Sequence, residues 1–113
     1  MKILYKNKKI EKLCSDKKVA IRELGLKVAS KLYQALFILK EAHSLNEIFA
    51  IKTFNLHPLN GELKGKYSLY LGKMTGFRLI LVLLNQEENK KYDENTIEYI
   101  NVIMIEEVSN HYE

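Results

Sequence analysis

The chain of 113 residues reads as an α+β domain, with N-terminal helices packed on one face of a mainly antiparallel, twisted sheet of about four to five strands. Three observations predict this. Apolar residues in the first half recur at spacings of three and four, the period of a helix with one buried stripe. After Thr53 the period drops to two, as in a strand buried on one face. The strand-like runs are separated by glycine-containing turns, short enough to join antiparallel neighbours.

Each element has its own signal. Met1–Tyr5 reads as a short strand. Asn7 caps a short helix, Lys8–Cys14, with Ile10 and Leu13 inward. Ser15-Asp16 caps a longer helix over Lys17–Ala42, whose buried stripe is Ile21, Leu24, Val28, Leu32, Ala35, Leu36 and Leu39. Glu23, Lys27 and Lys31 occupy its solvated face at i,i+4 spacing, acid first. Gly25 is a weak point in this helix and not a stop. Ser44-Leu45-Asn46-Glu47 forms a capping box that opens one more turn. Thr53–Leu59 is extended and ends in Asn60-Gly61, a turn signal. Lys66–Leu71 places Tyr67, Leu69 and Leu71 on one face and Ser68 and Tyr70 on the other. Gly72–Gly76 is a tight connection. Phe77–Leu84 sends Phe77, Leu79, Leu81 and Leu83 one way and Arg78, Ile80 and Val82 the other. Asn85–Asn95 is a polar loop. Ile97–Val108 is apolar enough at its centre to lie inside the sheet.

Composition bounds the rest. A length of 113 residues, 47% of them hydrophobic and 28% charged, fits one folded domain over 1–113. Pro58 is the single proline, and Cys14 is the single cysteine, so neither an internal disulfide nor a thiolate zinc cluster can form. Apolar runs such as Leu79–Leu84 are too short to cross a bilayer. Met1-Lys2-Ile3-Leu4-Tyr5 has no secretory core, so the expected location is the cytoplasm, without membrane contact. Net charge is +4 and pI about 9.1. Residues 1–50 carry +6, residues 51–83 carry +4 and residues 84–113 carry −6. A basic body suits a polyanionic partner such as nucleic acid, or an acidic protein.

The chemistry-bearing residues gather around one turn. Leu56-His57-Pro58-Leu59-Asn60-Gly61-Glu62-Leu63-Lys64-Gly65-Lys66-Tyr67-Ser68 holds a His, two Lys and a Tyr. Arg78 follows on the next strand among aliphatic neighbours, where a guanidinium needs an anion or the sheet edge. Lys73 lies in the intervening connection. Asn110-His111-Tyr112-Glu113 follows the last strand and converges with Arg78 if the two strands are neighbours. No phosphate loop or nucleophile elbow is present. His57 and His111 lack the spacing and carboxylates of a metal site, so no metal or cofactor is expected. A Lys/Arg/His/Tyr set suits metal-independent phosphodiester chemistry at RNA. Cations hold the phosphate while His, Tyr or Lys moves protons. Each residue also has a plain structural role. His57 can fasten a turn, Lys64 and Lys66 can be solvated, and Tyr67 and Tyr70 can be sheet aromatics. Arg78 can pair with Glu98, and His111 and Tyr112 can fray. Cys14 reads as a buried helix residue and His43 as a cation at a helix C-terminus.

Leu56-His57-Pro58-Leu59-Asn60-Gly61, then Gly65-Lys66-Tyr67-Ser68-Leu69, then Gly76-Phe77-Arg78-Leu79-Ile80 resembles the HigB-type branch of the RelE/ParE toxin superfamily. Its pattern is L-H-P-L-K-G, G-x-W-S-I and N-x-R-I-x-F, with a C-terminal Tyr-His pair. Ile105-Glu106-Glu107-Val108-Ser109-Asn110-His111-Tyr112 is similar to that ending. The resemblance implies a RelE-like fold and the toxin of a type II toxin–antitoxin pair. Such a toxin is a ribosome-dependent mRNA interferase: a 2′-OH attacks the adjacent phosphate, leaving a 2′,3′-cyclic phosphate and a 5′-OH. It implies a HigA-like helix-turn-helix antitoxin in a heteromeric complex, operator DNA contacted only through that antitoxin, and the ribosome and mRNA as further partners. By position, His57 would transfer a proton or contact phosphate, and Arg78 would bind the scissile phosphate. His111 and Tyr112 would supply acid–base or stacking groups, with His111 favoured for the proton. Lys64, Lys66, Tyr67 and Lys73 would hold RNA. The chain departs from the pattern at Asn60 (usually Lys), at Tyr67 (usually Trp) and in its His-Tyr order. Two other readings remain: a ParE-like inhibitor of DNA gyrase, which needs no proton-transfer group, and a non-catalytic RNA-binding module, which needs no terminal His.

Overall fold

The computed structural model describes residues 1–63, 65–84 and 100–110. Strand β1 (Lys2–Tyr5) is followed by helices α1 (Lys8–Ser15), α2 (Lys17–Leu24), α3 (Leu26–Glu41) and α4 (Leu45–Phe49). Strands β2 (His57–Pro58), β3 (Lys66–Tyr70), β4 (Arg78–Leu83) and β5 (Val102–Ser109) follow, with short 3-10 turns at Lys52–Phe54 and Gly61–Leu63. The strand order across the sheet is β1-β5-β4-β3-β2. The pairs β2–β3, β3–β4 and β4–β5 are antiparallel, whereas β1 pairs with β5 in parallel. The sheet is therefore mixed, mostly antiparallel, and belongs to an α+β arrangement. The apolar last strand lies inside it, between β1 and β4. The expected loop over Asn85–Asn95 and the start of the last strand at Ile97 fall outside the described residues.

Caps set the helix boundaries. Asn7 Oδ1 accepts from the Ile10 N–H at 2.9 Å and opens α1. Asp16 closes α1 and opens α2, its Oδ1 accepting from the N–H groups of Lys18 at 3.0 Å and Val19 at 3.4 Å. The expected single helix over Lys17–Ala42 is two helices. Gly25 adopts φ 83° and ψ 160°, outside helical space, so it ends α2 and begins α3. Its N–H donates to the Ile21 carbonyl at 2.8 Å, and its own carbonyl accepts from the Ala29 N–H at 3.0 Å. The break redirects the chain, and Ile21, expected inward, is 43% exposed. Glu23 and Lys27 now lie on different helices, and Glu23 sits 3.6 Å from Arg22 instead.

Two further expectations change. Ser44 stands at the N-cap of α4 but makes no side-chain cap bond. The Glu47 carboxylate accepts one residue earlier, from the His43 N–H at 2.7 Å, and pairs with the His43 ring at 3.3 Å. The Leu45 N–H, which a helix start leaves without an internal partner, donates to the Ile100 carbonyl at 3.0 Å and ties α4 to the approach to β5. The segment Thr53–Leu59 is only briefly extended. A 3-10 turn occupies Lys52–Phe54, Asn55 is left-handed at φ 45°, and β2 is two residues long. Pro58, which has no N–H for a ladder, fits at this sheet edge.

Alternation along the strands divides the sheet into two faces. Leu69, Leu79, Leu81, Leu83, Ile103 and Ile105 form one core cluster with Val28, Leu32, Leu36, Leu39, Leu45 and Ile48 of the helices. Each fully buried Leu or Ile contributes roughly 1.5–3 kcal/mol of transfer free energy. Lys66, Ser68, Tyr70, Arg78, Ile80 and Val82 alternate with these residues and occupy the opposite face. Among the described residues, no helix is long and apolar enough to cross a membrane.

Candidate functional site

The β3–β4 hairpin builds the centre of the site. Its connection is locked by Thr75, whose Oγ1 donates to the Leu71 carbonyl at 2.7 Å and accepts from the Phe77 N–H at 3.1 Å. Gly72 is required there twice over. Its φ is +91°, and a Cβ would lie 3.1 Å from the Thr75 methyl. With that loop set, Tyr70 pairs with Arg78 and Ser68 with Ile80. Across the edge, His57 pairs with Ser68, so His57, Ser68, Tyr70 and Arg78 share the face opposite the helices.

On that face the side chains touch in a row. The Arg78 guanidinium carbon lies 4.5 Å from the Tyr70 ring centroid, a cation–π contact. The His57 ring meets the Tyr70 ring edge-on at 5.9 Å, with an interplanar angle of 90°. Arg78 is buried, with 9% exposure, and Ser109 of β5 is its partner across the sheet. The Tyr70 ring therefore holds the guanidinium in place and covers part of its charge with π density. His57 Nδ1 lies 2.6 Å from the Asn55 carbonyl. In the neutral ring this bond places the proton on Nδ1 and the basic lone pair on Nε2, the orientation of a proton acceptor. The left-handed Asn55 is what turns that carbonyl toward the ring.

A second cluster lies further along the same face. Lys66 Nζ donates to Glu106 Oε1 at 2.8 Å, and Lys6 Nζ reaches the same oxygen at 3.2 Å. The register of β4 against β5 shifts at Ile80/Leu81, and Glu106 is the residue skipped opposite that step. Burial pushes the Glu106 carboxyl up, but hydrogen bonds from Lys66 and Lys6, helped by their charges, outweigh it and leave the group below its ordinary value. Glu106 Oε2 and the fully buried Ser68 hydroxyl make no hydrogen bond among the described residues.

The structure thus brings His57 and Arg78 together through Tyr70. It puts Lys66 on the same face, held by Glu106. Tyr67 points to the helix-covered face, edge-on to Phe49 with centroids 6.2 Å apart. Lys73 is exposed in the β3–β4 connection. Lys64, His111 and Tyr112 lie outside the described residues, as does Glu98, the suggested pair for Arg78. Among the described residues, no three His, Cys, Asp or Glu side chains converge as metal ligands. Cys14 is buried, and desolvation pushes its thiol up to about 11 despite the charge of Lys40, so it is not a nucleophile at neutral pH.

Asn55, Tyr70 and Glu106 are the partners that sequence reading missed. Tyr70 had a usable signal, because the hairpin is symmetric about Met74 and counting outward pairs Tyr70 with Arg78. Asn55 and Glu106 had none, since one depends on a left-handed backbone and the other on a bulge. Compared with protein-family models and with curated proteins, the chain matches none.

Proposed function

We propose that this protein is the toxin of a type II toxin–antitoxin pair, a RelE-like, HigB-type mRNA interferase that acts at the ribosome without a metal. The observation that carries the reading is the His57–Tyr70–Arg78 row, a proton-transfer group and a fixed guanidinium joined by one aromatic ring. The sequence resemblance assigns phosphate chemistry to the two outer members of that row.

In this reading Arg78 binds the oxygens of the scissile phosphate and neutralises the charge that builds on them. His57 Nε2, oriented by the Asn55 carbonyl, accepts the proton of the 2′-OH. The 2′-oxygen bonds to phosphorus while the bond to the 5′-oxygen breaks, and a second group protonates the leaving oxygen. His111 is proposed for that proton and Tyr112 for stacking. β5 ends at Ser109, the strand partner of Arg78. The partners proposed are mRNA in the ribosome and a helix-turn-helix antitoxin, and the proposed location is the cytoplasm.

The test is induction of the chain without its antitoxin. Methionine incorporation is expected to fall before thymidine incorporation does, whereas the reverse order would favour gyrase inhibition. Arg78→Lys is expected to lose most cleavage and keep the fold, because an ammonium cannot copy the two-pronged guanidinium contact. His57→Gln is expected to slow cleavage roughly a hundred- to ten-thousand-fold while ribosome association survives.

A further inference from the structure

Beside the His57–Tyr70–Arg78 row is a cleft of about 300 Å³ that shares Tyr70 with it. That volume is at the lower end of clefts that take small organic groups. The cleft lies where α3, the 3-10 turn at Lys52–Phe54 and the β3–β4 connection meet. Gly72 closes one side, its Cα close enough that a Cβ would meet the Lys31 stem at 3.5 Å.

The lining has three kinds of surface. Ile51 and the half-buried Phe54 give it an apolar wall. Gln34 and Thr53 add an exposed amide and hydroxyl, which can donate and accept. Lys31 and Lys73 add two cations. An apolar wall for a flat ring, an amide and hydroxyl for its edge, and cations for an attached phosphate are what recognise an unstacked nucleotide. A simple apolar metabolite would leave Gln34, Thr53 and both lysines without use.

We infer that this cleft binds the base of a nucleotide adjacent to the scissile phosphate, with Gln34 and Thr53 reading the base edge and Phe54 stacking on its ring. The inference rests on the RNA-cleaving reading and adds to it a residue-level source of base preference. Lys31 and Lys73 hold the phosphate on the side of the nucleotide away from Arg78. Tyr70, shared between row and cleft, couples a seated base to the placement of the phosphate at Arg78.

Two measurements test it. The first titrates the protein with AMP, GMP, CMP and UMP and follows backbone amide shifts by NMR. Saturable shifts are expected at Gln34, Thr53, Gly72 and Lys73, with one base favoured. Gln34→Leu is expected to erase roughly tenfold of that preference, the worth of one hydrogen-bonded base contact. Shifts elsewhere only, or none for any nucleotide, would overturn the inference. The second maps cut sites in cellular mRNA for wild type, Gln34→Leu and Thr53→Val, all outside the catalytic row. The variants are expected to keep cutting with a flattened base profile next to the cut. An unchanged profile overturns the cleft and leaves the nuclease standing. A wild type that cuts no RNA overturns the nuclease and this inference with it, even if nucleotides bind.

Discussion

The two faces of the sheet are made by the same strands and differ in almost everything else. On the helix side, Leu69, Leu79, Leu81, Ile103 and Ile105 are fully buried against α3 and its neighbours. On the other side, alternate residues of those strands supply Lys66, Ser68, Tyr70, Arg78 and Glu106, joined by a cation–π contact and a shared carboxylate. Burial is high on both faces at the centre, since Ser68 is fully buried and Arg78 nearly so. What separates them is the nature of the contact. One face gains from removing carbon from water, which is non-directional and tolerant of chain order. The other depends on angles and distances that a shift of one residue would abolish.

The largest effect that would break this contrast is loss of volume on the helix side. Leu81→Ala is expected to lower stability by about 2–5 kcal/mol, because the surrounding leucines cannot fully collapse on the gap. Val82→Ala, one residue along on the other face, is half-buried and is expected to lose at most about 1 kcal/mol. Urea unfolding of both variants checks the pair, and equal losses would mean that the faces do not differ in packing.

Next in size is the geometry of the covering layer. Gly25→Ala would stabilise an unbroken helix by up to about 1 kcal/mol. With φ at 83° and no atom within 4 Å of an added Cβ, backbone strain alone acts here, and a loss of about 1–3 kcal/mol is expected instead. The sign of the change in thermal midpoint decides between one helix and two.

The smallest effect belongs to the polar face. Glu106 titrates below its ordinary value in the folded chain, so its contribution is present at neutral pH and is lost as pH falls through the folded value. Glu106→Gln is expected to cost less than about 1 kcal/mol at neutral pH, because Lys6 and Lys66 are partly solvated. The difference from wild type should shrink toward acid pH in urea titrations. A difference that grew toward acid pH would reverse the assigned sign.

Local chemistry made much of the fold legible. Asn7 and Asp16 accept from the N–H groups that a helix start leaves without partners, so they mark those starts wherever the helices go. Strict alternation in Lys66–Tyr70 and Arg78–Leu83 assigned each residue to a face, because the pleat leaves no other choice. The candidate site was legible in part for the same reason: His57 and Arg78 fall on one face once the hairpin closes. The pairing of Glu106 with Lys66 was hidden, because a bulge shifts the register of β4 against β5 at that point.

What the sequence by itself determined, then, lay within a few residues: the caps at Asn7 and Asp16, the periods of helix and strand, and the glycine turn between β3 and β4. What only the tertiary structure decided was everything that joins distant segments. The periodic stripe through residues 21–39 is compatible with one helix or two, and Gly25 breaks it by adopting φ 83° and ψ 160°, outside helical space. The parallel pairing of β1 with β5 joins the two ends of the chain, about a hundred residues apart, a contact that no local period encodes. The pairing of Tyr70 with Arg78 and the turn of Asn55 toward His57 become a site only when β2, β3 and β4 lie side by side, because contacts of this kind require atoms placed to within fractions of an ångström.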